Sequence, residues 1–151
     1  MRFQGRVAIV TGAAGGIGSA TARILARDGA DLCLADCNSL SQVSAEIRST
    51  GRRFLEQPLE MRDTRSIRAM VDRTTETFGR LDILVNVAGI TSLGSAEGLT
   101  EEEWDRVLNI NLKGVSSVAS PLSVQCVARN TDASSTLDPS WERTAAIRDR
   151  G

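Results

Sequence analysis

Four glycines, Gly12, Gly15, Gly16 and Gly18, follow the apolar run Val7-Ala-Ile-Val-Thr11 and precede an alanine-rich pattern of helical period. Glycine enters positive φ without steric cost and lets backbone approach a ligand closely, both of which a tight strand-to-helix turn requires. The first N–H groups of the helix and the positive end of its dipole then point outward together, an arrangement that suits a pyrophosphate. Glycines gather in ordinary turns too, so the cluster alone decides little. Between a strand and a helix it has the context of a dinucleotide-binding turn.

A second chemical position is Asp36, at the end of the run Asp31-Leu-Cys-Leu-Ala-Asp36. It follows Gly18 at close to the spacing of about 20 residues expected of a carboxylate that accepts hydrogen bonds from an adenosine ribose. The same charge repels a 2′-phosphate, and Cys37 and Asn38 bring no cation beside it. The cofactor read from these residues is therefore NAD rather than NADP; the alternative is a solvated aspartate at a strand end.

These groups need elements to carry them. Ala20, Ile24 and Leu25 give a helical stripe closed by Asp28-Gly29, and Ser39 with Gln42 forms a capping box for a second helix carrying Val43 and Ile47. Residues 53–59 read as a weaker strand in which Pro58 suits an edge. Ile67, Met70, Val71, Thr74 and Phe78 recur at helical spacing before Gly79, and Leu81–Val87 reads as a strand. Thr100-Glu-Glu-Glu103 is a capping box for a helix bearing Trp104, Val107 and Leu108. Alternation of this kind means βαβ units, a Rossmann-like α/β fold with four parallel strands in the order 3-2-1-4 and helices on both faces. Ligands of such sheets sit at the carboxyl ends of the strands, where Thr11, Asp36, Glu60 and Asn86 all fall. That order leaves the fourth strand at an edge, with Leu81, Ile83, Leu84 and Val85 on or next to exposed surface, and self-association is expected of it.

The spacing Thr11-Gly12-x-x-x-Gly16-Ile17-Gly18 resembles the fingerprint of the short-chain dehydrogenases/reductases, and three further segments extend the resemblance. Asn86-Val-Ala88-Gly89 is similar to the family's Asn-Asn-Ala-Gly after the fourth strand, which implies that Asn86, Ala88 and Gly89 line the adenosine side. Glu60-Met61 resembles the Asp-Val pair beside the adenine ring; Glu60 is one methylene longer, and as a residue it also reads as plain surface charge. Asn109-Ile-Asn111-Leu-Lys-Gly114 resembles the Asn-Leu-x-Gly segment, so Asn111 corresponds to the asparagine of the catalytic tetrad, which bends its helix and holds a water in a proton relay. The resemblance implies an NAD-dependent oxidoreductase acting on an alcohol or carbonyl substrate, with Gly12, Gly15, Gly16, Ile17, Gly18, Asp36, Glu60, Met61, Asn86, Ala88 and Gly89 at the cofactor.

The readable motifs end at Gly114. The family continues with a catalytic Ser and Tyr-x-x-x-Lys, but this sequence holds no tyrosine, and Lys113 is its only lysine. Residues 1–114 read as the dinucleotide-binding domain and 115–151 as a divergent tail, partly disordered, with Pro121 interrupting its one helical pattern. Composition narrows the rest. The 151 residues carry a net charge of −1 with no basic run, so nucleic acid is not an expected partner. No window is long and apolar enough to span a membrane, and the start lacks a signal-peptide stretch, so the expected location is cytoplasmic. Three cysteines without a C-x-x-C pair and no histidine leave a metal site without its usual ligands, and Cys33 reads as a small buried side chain. Three readings stay open: a weak or inactive oxidoreductase relative, a non-catalytic NAD-binding or interaction module, and a truncated or frameshifted product. On the last reading, the encoding DNA past Gly114, read in another frame or past a skipped segment, is expected to recover an apolar strand, a Ser and Tyr-x-x-x-Lys.

Overall fold

A computed structural model describes residues 1–94 and 96–119. Four parallel strands, β1 (Val7–Thr11), β2 (Asp31–Asp36), β3 (Phe54–Pro58) and β4 (Ile83–Asn86), form one sheet in the order β3-β2-β1-β4. This is the expected Rossmann-like order. β1 and β2 are buried along their whole length, which is why both read as unbroken apolar runs. β3 and β4 are the two edges and are only half covered, and Pro58 stands where an edge tolerates a missing N–H. Helices α1 (Gly16–Arg27), α2 (Ser41–Arg48) and α3 (Thr64–Phe78) make the crossovers, with the core formed by Ile9, Val10, Leu32, Leu34, Ile47, Ile67 and Met70.

The register brings the strand ends level. Thr11 pairs with Ala35 on one side and Asn86 on the other, and Asp36 pairs with Pro58. Polar residues at these ends therefore share one rim.

Several sequence expectations change. Ile24 is 59% exposed, because α1 lays Gly18, Ala22, Leu25 and Ala26 on the sheet and Ile24 points the other way. Small residues at Gly18 and Ala22 let the helix backbone come close. The capping box at Ser39 does not form. α2 begins at Ser41 with Leu40 before it, since burying Leu40 outweighs a side-chain cap there; Ser39 Oγ instead accepts from Ser41 N at 3.4 Å. Thr100 does cap α4 (Glu101–Leu108), accepting from Glu103 N at 3.2 Å, but Glu103 turns its carboxylate to Arg106 rather than back to the cap. No residue of α4 is buried, and Trp104 is 54% exposed, so its apolar stripe is uncovered among the described residues. Cys33 is buried, and that burial pushes its thiol up to about 11. Beyond α4 the helix widens into a π-helical segment, Asn109–Gly114, and continues as α-helix through residue 119. Pro121 and the rest of the tail from residue 120 lie outside the described residues.

Leu81 also departs from expectation: it is buried, because Asp82 anchors the chain just before β4. The Asp82 carboxylate accepts from Val7 N at 2.9 Å and from Arg6 and Arg80. Asp31 plays the same part at the start of β2, where it accepts from Arg52 Nη2 at 2.7 Å and Arg53 Nε at 2.8 Å. Burial raises both carboxyls, but the guanidinium hydrogen bonds outweigh it and hold them below the usual carboxylate range. Groups lowered in the folded state stabilise it above their unfolded value of about 4, and that contribution is lost as pH falls through the folded value. Melting temperature followed by circular dichroism is expected to drop as pH is lowered from 5 to 3. Asp31→Asn and Asp82→Asn should each cost about 1–3 kcal/mol at neutral pH and flatten the acid slope. Variants that keep the parent slope would remove these two residues from the account.

Candidate dinucleotide site

The glycine turn begins with Gly12 at φ +68°, a left-handed conformation that a side chain rarely adopts. A Cβ at Gly12 would lie 2.7 Å from Ala88 N, so the turn is in backbone contact with the loop after β4. A Cβ at Gly18 would overlap the Gly12 carbonyl oxygen. These two glycines serve the fold. Gly16 differs: a Cβ there would meet nothing within 4 Å, and the residue is exposed. The space in front of Gly16 is open to a ligand, and the first turn of α1 presents N–H groups that have no intrahelical acceptor.

Thr11 fastens this turn to β4. Its hydroxyl is fully buried, accepts from Val87 N and Ala88 N at 3.2 Å each, and donates to Asn86 Oδ1 at 3.3 Å. Asp36 fastens it to β2. Oδ2 accepts from Ala14 N at 3.0 Å, and Oδ1 accepts from Asn38 N at 2.8 Å and Asn38 Nδ2 at 3.1 Å. Oδ1 is thus satisfied twice by the Asn38 region, Oδ2 accepts one backbone hydrogen bond, and the Cys37 thiol, a weak donor, also bonds this carboxylate.

At the end of β3, Glu60 is held by Arg62, whose hydrogen bonds keep its carboxyl below the usual range. Met61 is buried and packs against Gly114, where a Cβ would lie 2.9 Å from the Met61 carbonyl oxygen. Asn111, in the π-helical segment, accepts from Ile90 N at 2.9 Å and donates to Ile90 O at 2.8 Å. π-helical segments recur at functional sites because they re-aim one side chain. Here the re-aimed side chain pins the loop that follows β4.

One cavity of about 480 Å³ runs along this rim. It is lined by Gly12, Gly15, Gly16, Ile17, Gly18, Asp36, Glu60, Met61, Ala88 and Gly89. Of the residues singled out from sequence, Asn86 and Asn111 do not line it; both act from behind, through Thr11 and Ile90. Sequence reasoning missed Arg62 and Arg106, which also line the cavity. Arg62 was within reach of a sequence argument, two residues past a strand-end carboxylate; Arg106 was not, because the path of α4 had to be known.

A family model for short chain dehydrogenases matches residues 6–131. The chain belongs to the short-chain dehydrogenases. The match reaches past Gly114, where the readable motifs end. Oxidoreductase UcpA of Salmonella typhimurium is 38% identical over 129 residues, covering 85% of this chain and 49% of the relative. The 3-oxoacyl-[acyl-carrier-protein] reductase FabG of Thermotoga maritima is 38% identical over 120 residues, covering 78% and 49%. Among solved structures, NAD+-bound xylitol dehydrogenase superposes with a TM-score of 0.82 at 32% identity, over 86% of this chain and 51% of that one. A short chain dehydrogenase from Mycobacterium paratuberculosis bound to NAD gives 0.76 at 30% identity, over 80% and 50%. The chain spans about half the length of the curated relatives it matches.

The glycines of the turn separate by role. Gly16→Val should change folding stability by less than about 1 kcal/mol while weakening dinucleotide binding at least about tenfold, since only the ligand's space is filled. Gly18→Ala should lower the melting temperature, at a cost of about 1–3 kcal/mol, because the new methyl meets the Gly12 carbonyl. Thermal melts beside dinucleotide titration test both; a Gly16→Val protein that unfolds, or that binds as the parent does, contradicts the division.

Proposed function

We propose that the cavity at the sheet's carboxyl rim binds NAD, with residues 1–114 as the dinucleotide-binding unit of an oxidoreductase acting on an alcohol or carbonyl. The observation that carries this reading is Asp36. It lies at the end of β2, lines the cavity, and on Oδ2 accepts a single backbone hydrogen bond, from Ala14. A ribose hydroxyl, a stronger donor than the Cys37 thiol, fits that carboxylate. Arg62 and Arg106 bring positive charge to the rim, yet each already pairs with a carboxylate, Glu60 and Glu103 respectively. Each is engaged through Nε and Nη2, and the carboxylate of Asp36 opposes a 2′-phosphate directly. The two structural relatives that hold NAD support the same choice.

The cavity residues divide the binding work. The first turn of α1 receives the pyrophosphate, Asp36 the adenosine ribose, and Ala88 and Gly89 offer backbone at close approach. When bound, the nicotinamide supplies the hydride acceptor or donor. Reducing a carbonyl also needs a proton at the developing alkoxide, a contribution worth about 10²–10⁴-fold. The 151 residues offer no tyrosine for it. Asn111 is a positioning residue in this reading, since both ends of its amide hold Ile90. Binding without turnover is the expected behaviour of this chain, which makes a non-catalytic NAD-binding module the second reading.

Calorimetric titration with NAD and NADP, beside an assay for NADH production from simple secondary alcohols, tests the reading. NAD should bind about tenfold or more tightly than NADP, because a like charge at Asp36 opposes the 2′-phosphate. Asp36→Asn should narrow that gap while its amide oxygen still accepts from Ala14 N. Equal affinity of the unmutated chain for both dinucleotides would contradict the assignment to Asp36. Steady turnover would contradict the absence of a proton relay.

A further inference from the structure

A second cavity, of about 240 Å³, lies between the starts of α1 and α2. It shares Gly16 with the first cavity, and Ala14 and Ser39 form the wall nearest Asp36. Ala14 N donates to Asp36 Oδ2, and Ser39 follows Asn38, which donates to Oδ1. The second cavity therefore opens beside the carboxylate that a ribose would meet. Its wall holds one cation and one anion, Arg23 and Glu46. Arg23 Nη1 donates to Glu46 Oε2 at 2.6 Å, and the Gln42 side chain bonds the same carboxylate. The Arg23 bond holds the Glu46 carboxyl below the usual range, so it is ionised at neutral pH. Arg23 uses one of its five N–H donors there, and the two side chains are 34% and 36% exposed, within reach of a ligand in the cavity.

We infer that the second cavity is a phosphate subsite that Glu46 closes, so that Glu46 acts with Asp36 in selecting NAD over NADP. The inference rests on the dinucleotide reading above and extends it to a pair of residues that reading does not use. A 2′-phosphate on a ribose held by Asp36 would stand at the mouth of this cavity. Arg23 alone would offer it a cation with several N–H donors, the chemistry a phosphate takes. With Glu46 beside it the pair carries no net charge, and a carboxylate on the cavity wall faces the incoming dianion. A 2′-hydroxyl is uncharged and gains or loses little from either residue. Glu46 thus acts on one dinucleotide and not the other. A pair that only clamped α1 to α2 would, when broken, lower the melting temperature and treat both dinucleotides alike.

The test is calorimetric titration of the full chain with NAD and with NADP at one fixed salt concentration, for the parent and three variants, each checked by thermal melt. Glu46→Gln should raise NADP affinity by about three- to tenfold and leave NAD within about twofold. Arg23→Gln with Glu46→Gln should remove that gain, because the cation that would receive the phosphate is gone. Arg23→Gln alone, which leaves Glu46 unpaired, should weaken NADP further and widen the gap. A ratio unmoved by Glu46→Gln, in a parent that does prefer NAD, would overturn the inference and leave the cofactor reading intact. A gain that survives the loss of Arg23 would also overturn it, since the effect would then be one of charge at large. No binding of either dinucleotide by the parent would overturn the cofactor reading and this inference together.

Discussion

The contact between the backbones of Gly12 and Ala88 is the constraint on which the rest of the structure depends. With a Cβ position only 2.7 Å from Ala88 N, no other residue fits at Gly12 without moving β4's loop. Thr11 makes the same junction from the side-chain direction, donating and accepting around the first residues after β4. Two consecutive residues thus close the seam between the first and fourth strands, one by lacking a side chain and one by burying a hydroxyl that has its partners. The turn leading into α1, the opening in front of Gly16 and the position of Asp36 all follow from where that seam lies.

Carboxylates do different work at the two ends of the sheet. At the amino end, Asp31 and Asp82 are buried under arginines and satisfied by them, so they fasten strand starts and have nothing to offer a ligand. At the carboxyl end, Asp36 and Glu60 are tied by fewer donors and each keeps acceptor capacity. The separation is electrostatic as much as geometric. Saturated carboxylates are structural; partly saturated ones on a concave surface are the ones the proposed site uses. Asp36 does both, since it holds Ala14 N and lines the cavity. In the proposed site, ligand binding and the order of the glycine turn are therefore coupled through one side chain.

The strand order, the glycine turn and the rim of polar strand ends were legible in the sequence, because each follows from local patterns: unbroken apolar runs, glycine spacing, and carboxylates at strand ends. Ile24 was misread because a helical stripe does not say which of two overlapping faces meets the sheet; the small residues Gly18 and Ala22 decided it. The Ser39 box failed for a similar reason, as burial of Leu40 set the start of α2. Leu81 went inside because of Asp82, an anchor 75 residues away from its partner Val7 and invisible to any local window. Asn111 was found through resemblance, but its hold on Ile90 needed the structure. Arg106 reaches the cavity only because α4 folds back to it.

The central claim, that the rim between Gly12 and Gly89 is a dinucleotide site, is tested most directly by amide hydrogen exchange with and without saturating NAD. The account predicts added protection in residues 12–18, 36–38, 60–62 and 87–90. It predicts none at residues 52–53 and 80–82, the arginine-clamped strand starts at the far end of the sheet. Protection confined to that far end, or no change at the rim while NAD is demonstrably bound, would contradict it.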